Sequence, residues 1–166
     1  MSYKLLASDI DGTLLDSKGR LTEGTLEAVR LGVKNGLIFV ICSGRPVQGV
    51  EPLIERFDLD LPIITYNGAM VITGKSREIL YDKRLSPEAA KAVINAGNSY
   101  GTTQLVWAEN RLYANVLNER AYKYSESSKV PPVLIEDVDE VVRNGASKVL
   151  WYDDVERIDE YEKEVG

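Results

Sequence analysis

The sequence predicts an α/β fold: a partial doubly wound (Rossmann-like) parallel sheet core, followed by a separate α+β domain. Three observations carry this. Short apolar runs alternate with amphipathic helical stretches through residues 1–68. A polar cluster follows each apolar run: Asp9-Ile10-Asp11-Gly12-Thr13, Ser43-Gly44-Arg45 and Asn67-Gly68. Hairpin signals then replace the alternation through residues 69–166.

The elements follow in order. Residues 3–10 form a near-continuous apolar run (Leu5, Leu6, Ala7, Ile10), as in a strand covered on both faces. Residues 22–35 read as a helix with Thr22 as N-cap and Asn35-Gly36 as its stop. "LIFVIC" at 37–42 is a second buried strand, and its Cys42 reads as a small core residue. Residues 50–57 read as a helix with Pro52 in the first turn, and "PIIT" at 62–65 is a third strand.

The second domain opens with "AMVIT", a Gly74-Lys75 turn and "REILYD", a hairpin. Ser86-Pro87-Glu88 starts a helix that runs to Tyr100 and stops at Gly101. "TTQLVWA" and "RLYANVL" form another hairpin around Glu109-Asn110. Helical pieces at 118–128 and 137–144, the strand "SKVLWYD" and the charged helix "DVERIDEYEKEV" complete it, giving an antiparallel sheet with helices on one face. Trp107, Tyr113, Trp151 and Tyr152 lie on these strands, where aromatic residues pack well.

Composition narrows the chemistry. The 166 residues carry a net charge of -6, which disfavours non-specific nucleic-acid binding, and no basic patch suits a membrane surface. The start lacks the long apolar core of a signal peptide, and no window approaches a membrane span. With one cysteine, these features suit a cytoplasmic location. The chain has no histidine, which removes Ser-His-Asp and Cys-His catalysis and His-ligated zinc. Acid–base work falls to carboxylates, lysine or tyrosine, and a metal site would be all oxygen, which suits magnesium.

In open parallel sheets, ligands bind outside the carboxyl ends of the strands, where the three clusters fall. Asp, Ser, Asn and Gly are also common turn residues, so each cluster alone also fits a plain turn. The Asp-x-Asp-Gly-Thr run is more specific. Strand alternation would point Asp9 and Asp11 the same way, and two carboxylates facing one point invite a hard cation. Asp9 could then attack phosphorus while Asp11 handles protons. Gly12 would let the backbone approach a phosphate, and the Thr13 hydroxyl would hold the turn.

These stretches resemble the haloacid dehalogenase-like (HAD) superfamily. "DIDGTL" is similar to its first motif in phosphatase form, and "ICSGRP" to its second. "ITYNGA" resembles the entry to the C2-type cap of the Cof-type phosphatase subfamily. The resemblance implies Mg²⁺-dependent hydrolysis of small phosphomonoesters, sugar phosphates among them, through an aspartyl-phosphate. It implies Asp9 as nucleophile and Asp11 as general acid/base, both metal ligands, with Asp11 binding through its main-chain carbonyl. Ser43 and Gly44 would hold the phosphate and Asn67 would line the site.

Two later motifs of the superfamily are missing: a lysine and a Gly-Asp-x-x-Asn-Asp loop. Lys148 and Asp153-Asp154 read instead as cap residues. The chain is therefore expected to be a fragment ending within the cap, impaired as an enzyme. Its first strand would have an open edge through which copies could self-associate. A catalytically silent phosphate- or partner-binding remnant, or a phosphomutase, is the alternative expectation.

Overall fold

The computed structural model describes residues 3–165, which fall into two compact units, one ending at Asp82 and the other starting at Lys83.

The first unit contains β1 (Leu5–Asp9), α1 (Glu23–Lys34), β2 (Ile38–Cys42), α2 (Val47–Phe57), β3 (Pro62–Thr65), β4 (Met70–Thr73) and β5 (Ile79–Asp82). The sheet order is β1-β2-β3-β4-β5. β1, β2 and β3 are parallel, while β4 and β5 are added antiparallel. Right-handed crossovers that step in one direction along a sheet place their helices on the same face. Accordingly α1 and α2 touch: Arg30 donates to the carbonyls of Arg56 and Phe57, and Arg56 pairs with Glu23. Beneath them Phe39 packs on Phe57, with Ile41 and Ile63 fully buried.

The helix ends follow local chemistry. Thr22 Oγ1 accepts from the Thr25 amide at the start of α1. α2 begins at Val47, earlier than the expected 50, because Pro46 already holds the extended N-cap conformation. Pro52 consequently lies inside the helix rather than in its first turn.

Two expectations for this unit are corrected. The first strand is not buried on both faces: Leu5 is 53% and Leu6 50% exposed. β1 is the last strand of the order and α1 packs over β2, so little covers it. Ile38, in register with Leu5, is exposed on the face away from the helices. The hairpin placed beyond residue 68 belongs to the first unit's sheet, not to the second domain. β4 pairs with β3 from Pro62↔Thr73 to Thr65↔Met70. Asp60 also ties down its turn, accepting from the amides of Lys75 and Ser76 at 2.7 and 3.0 Å and from Ser76 Oγ at 2.8 Å.

The second unit contains α3 (Pro87–Tyr100), β6 (Thr103–Ala108), β7 (Arg111–Ala114), α4 (Glu119–Ser125), β8 (Val133–Leu134), α5 (Val138–Val141), β9 (Lys148–Tyr152) and α6 (Val155–Val165). Its sheet order is β8-β7-β6-β9. β8 was not foreseen, since two residues are too few to show alternation, and its parallel pairing with β7 makes the sheet mixed. One sheet face packs Val106 and Ala108 against Ala90 and Ile94 of α3, with Val142 and Ala146. On the other face the buried Trp107 donates to Tyr124 Oη at 3.1 Å. Helices therefore cover both faces rather than one. Trp151 packs against Tyr100 and Tyr161. No helix among the described residues is long and apolar enough to cross a membrane.

Two outcomes follow. The backbone N–H of Ser76, the Ser76 hydroxyl and the backbone N–H of Lys75 hold the Asp60 carboxyl below the ordinary value of 3.8. A depressed carboxylate contributes stability above its unfolded value and loses it as pH falls through its folded value. Asp60→Ala should lower the melting temperature and speed hydrogen exchange in β4–β5, and the gap from wild type should shrink as pH falls below 3.8. The outer edge of β1 has no strand partner among the described residues. We expect concentration-dependent association in sedimentation velocity, weakened by Leu6→Lys; an invariant monomer would rule out pairing through this edge.

Candidate active site at the carboxyl ends of the parallel strands

Register brings the strand ends together. Asp9 is level with Cys42, and Cys42 with Ile64. A depression of about 330 Å³ opens here, lined by Asp9, Cys42, Ser43, Gly44, Ile64, Asn67 and Gly68. Four residues singled out from sequence, Asp9, Ser43, Gly44 and Asn67, thus share one site. Asp11, Gly12 and Thr13 are not in its lining.

After Asp9 the chain leaves the strand in a wide turn, closed by the Leu15 amide on the Ile10 carbonyl at 3.0 Å. Gly12 takes φ +75°, a conformation costly for residues with a Cβ. Ile10 and Leu14 are buried and anchor the turn, while Asp9, Asp11, Gly12 and Thr13 stay exposed. Strand alternation therefore does not carry past Asp9. The Asp11 carboxylate is engaged instead by Arg45, whose Nε donates to Oδ2 at 3.0 Å and Nη2 to Oδ1 at 2.6 Å.

The loops after β2 and β3 are interlaced. Ser43 N donates to the Ile64 carbonyl at 2.9 Å, Tyr66 N to the Arg45 carbonyl at 3.0 Å, and Asn67 N to the Ser43 carbonyl at 3.3 Å. Ser43 is buried, and its Oγ accepts from the Arg45 amide at 3.1 Å. Tyr66 and Asn67 both take positive φ, at 52° and 57°. Asparagine tolerates this better than most residues; the cost at Tyr66 is offset by its burial and its bond to Arg45. A Cβ on Gly44 would lie 2.2 Å from Asn67 Oδ1, so glycine is what lets the Asn67 amide sit over this loop.

Sequence reasoning missed two residues here. Cys42 is half-buried on the site wall rather than in the core, because it ends β2 where the depression opens. Burial, and then the Asp9 charge, push its thiol above the ordinary value, so it is neutral at pH 7 and no rival nucleophile. Arg45 was seen only as part of a turn-like Ser-Gly-Arg run; its bond to Asp11 spans too much sequence for a local pattern to reveal it.

Lys148 and Asp153-Asp154 belong to the second unit. Lys148 lies on β9 opposite Trp107. Asp153 has a side chain 0% exposed, paired with Arg120 at 3.2 Å and Arg157 at 2.9 Å, and Asp154 pairs with Arg120. Among the described residues no group of three or more acidic or cysteine side chains is placed to hold a metal ion. Asp9 and Asp11 nonetheless offer only oxygen donors, the type magnesium takes, and this ion commonly binds through one or two protein carboxylates, completing its shell with water and phosphate.

The family model for haloacid dehalogenase-like hydrolases matches residues 6–166. A Streptococcus pyogenes protein provisionally named a phosphatase is 29% identical over 175 residues, covering 99% of this chain and 63% of the relative. A haloacid dehalogenase-like hydrolase from Bacteroides thetaiotaomicron has the same fold, with TM-score 0.83 at 24% identity, over 99% of this chain and 63% of that one. The sugar phosphatase BT4131 superposes with TM-score 0.74 at 25% identity, over 95% of this chain and 61% of its own. The chain thus spans only part of the length of the proteins it matches.

Gly44→Ala tests the loop packing. The added methyl should displace the Asn67 side chain, seen as a shift of its amide resonances, and shortening Asn67 to Ala in the same chain should relieve the stability loss. Additive losses would show that the two positions do not interact.

Proposed function

Since the chain belongs to the haloacid dehalogenase-like hydrolases, we propose that its first unit carries the phosphate-handling residues for Mg²⁺-dependent hydrolysis of small phosphomonoesters, sugar phosphates among them. The observation that carries this is the convergence of Asp9, Ser43, Gly44 and Asn67, from three strand ends, on one depression. The relatives named as phosphatases support it.

In this reading the phosphate group sits between Asp9 and the Ser43–Gly44 loop. An Asp9 carboxylate oxygen forms a bond to phosphorus as the bond to the leaving oxygen breaks, giving an aspartyl-phosphate. Protonated Asp11 gives its proton to the leaving oxygen. As a carboxylate it then takes a proton from water, whose oxygen attacks phosphorus and releases Asp9 and inorganic phosphate. The Asp9 carboxylate and the Asp11 main-chain carbonyl would hold the metal, which leaves the Asp11 carboxylate for the proton transfers. Magnesium, when bound, supplies charge screening between the anionic nucleophile and the phosphate. Ser43 and Asn67 orient the phosphate oxygens.

Among the described residues the lining holds no lysine and Asp9 is its one carboxylate, so we expect turnover to be slow in this chain. The substrate is a small phosphorylated metabolite. The same geometry would let a chain with impaired turnover still bind phosphate.

The test is phosphate release from p-nitrophenyl phosphate and a sugar phosphate by the purified chain, with and without Mg²⁺. Magnesium-dependent release should vanish in Asp9→Asn and fall by about 10²–10⁴ in Asp11→Asn. Release that survives Asp9→Asn would remove Asp9 as nucleophile. Phosphate binding by a folded chain without turnover would favour the binding reading.

A further inference from the structure

We propose that Arg45 is a positioning residue for Asp11, fixing the orientation of the carboxylate that performs the proton transfers. This rests on the phosphomonoester reading above and deepens it.

Asp11 has little else to hold it. Its side chain is 61% exposed, and it sits in an irregular turn between the buried anchors Ile10 and Leu14. A short side chain on such a turn samples several rotamers. The Arg45 guanidinium removes that freedom. Its two parallel N–H bonds to the two carboxylate oxygens fix both the direction and the plane of the group.

The fork is itself held from several sides. Arg45 Nη1 donates to the Gly49 carbonyl at 3.2 Å, inside the first turn of α2. The Arg45 amide is bound to Ser43 Oγ, and its carbonyl accepts from Tyr66. Its side chain is only 30% exposed. The position of Asp11 is thus referred to the same loops that hold Ser43 and Asn67. Stability does not account for the pair. An ion pair this exposed is worth about 0–1 kcal/mol, too little to explain so many constraints on one side chain. Lysine could supply the charge but not the planar fork.

Arg45 touches neither phosphorus nor the leaving group in this reading; it acts through Asp11. Its loss should therefore matter most where the leaving oxygen needs a proton. An alkyl phosphate releases a basic alkoxide and needs that proton, whereas p-nitrophenyl phosphate releases an acidic phenol and does not.

The experiment compares wild type, Arg45→Met and Arg45→Lys on an alkyl phosphate and on p-nitrophenyl phosphate. In Arg45→Met, kcat/KM, which reports phosphoryl transfer to Asp9 ahead of the water step that both esters share, should fall by about 10²-fold with the alkyl ester and by less than about threefold with p-nitrophenyl phosphate. Arg45→Lys should lie nearer to Arg45→Met than to wild type. Equal losses on both esters, or full activity in Arg45→Lys, would overturn the proposal. A second readout needs no turnover: the χ1 couplings of Asp11 by NMR. They should report one rotamer in wild type and averaging in Arg45→Met, and unchanged couplings would also overturn it. Absence of turnover in wild type would count against the hydrolytic reading alone, and the couplings would still decide whether Arg45 fixes Asp11.

Discussion

Everything at this site depends on the parallel pairing of β1, β2 and β3. Parallel strands end at the same side of a sheet, so in-register pairing puts Asp9, Cys42 and Ile64 on one line. The loops that leave those ends must then share a small space. An antiparallel arrangement of the same segments would have sent the aspartate run and the Ser-Gly-Arg run to opposite edges. The crossover helices enforce the choice: each parallel connection needs a helix to return the chain, and α1 and α2 do so side by side.

Within that space the loops hold one another rather than resting on a rigid floor. Ser43, Arg45, Tyr66 and Asn67 exchange main-chain bonds, and the absent side chain of Gly44 makes room for Asn67. Arg45 extends this lattice to the third loop by reaching Asp11. The two aspartates of the opening motif therefore have different environments despite their spacing. Asp9 lines the depression, while Asp11 is held to one side by a guanidinium. Such division suits a reaction that asks one carboxylate to attack and the other to move protons.

Most elements were legible because each carries its own local signal. Thr22 and Ser86 cap as their chemistry demands, and β3 lies where "PIIT" placed it. What was illegible depended on contacts distant in sequence. The exposure of Leu5 and Leu6 follows from β1 standing at the end of the order, which an apolar run cannot reveal. The allegiance of the β4–β5 hairpin was decided by pairing with β3 and by the Asp60 carboxylate. At the site, Asp9, Ser43, Gly44 and Asn67 were found from the strand-end pattern. Cys42 and Arg45 were not, because one depends on its place at the end of β2 beside the depression and the other on a bond across two loops.

The two acidic pairs of the chain show how environment separates chemistry from architecture. Asp153 and Asp154 resemble Asp9 and Asp11 in composition. Yet the Asp153 side chain is fully buried between two guanidiniums, with Tyr161 Oη also donating to it. Removing a charge from water costs several kcal/mol, and the two arginines and the hydroxyl offset that cost only while they stay in place. A carboxylate bound in this way cannot leave its partners to meet a substrate without giving up that compensation. Asp9 is exposed, so it carries no such debt. Asp11 shares its charge with one arginine yet is 61% exposed, so its carboxylate meets solvent without leaving that partner. That energetic difference, more than the spacing of the residues, leaves the first pair open to solvent and binds the second to the fold of the second unit.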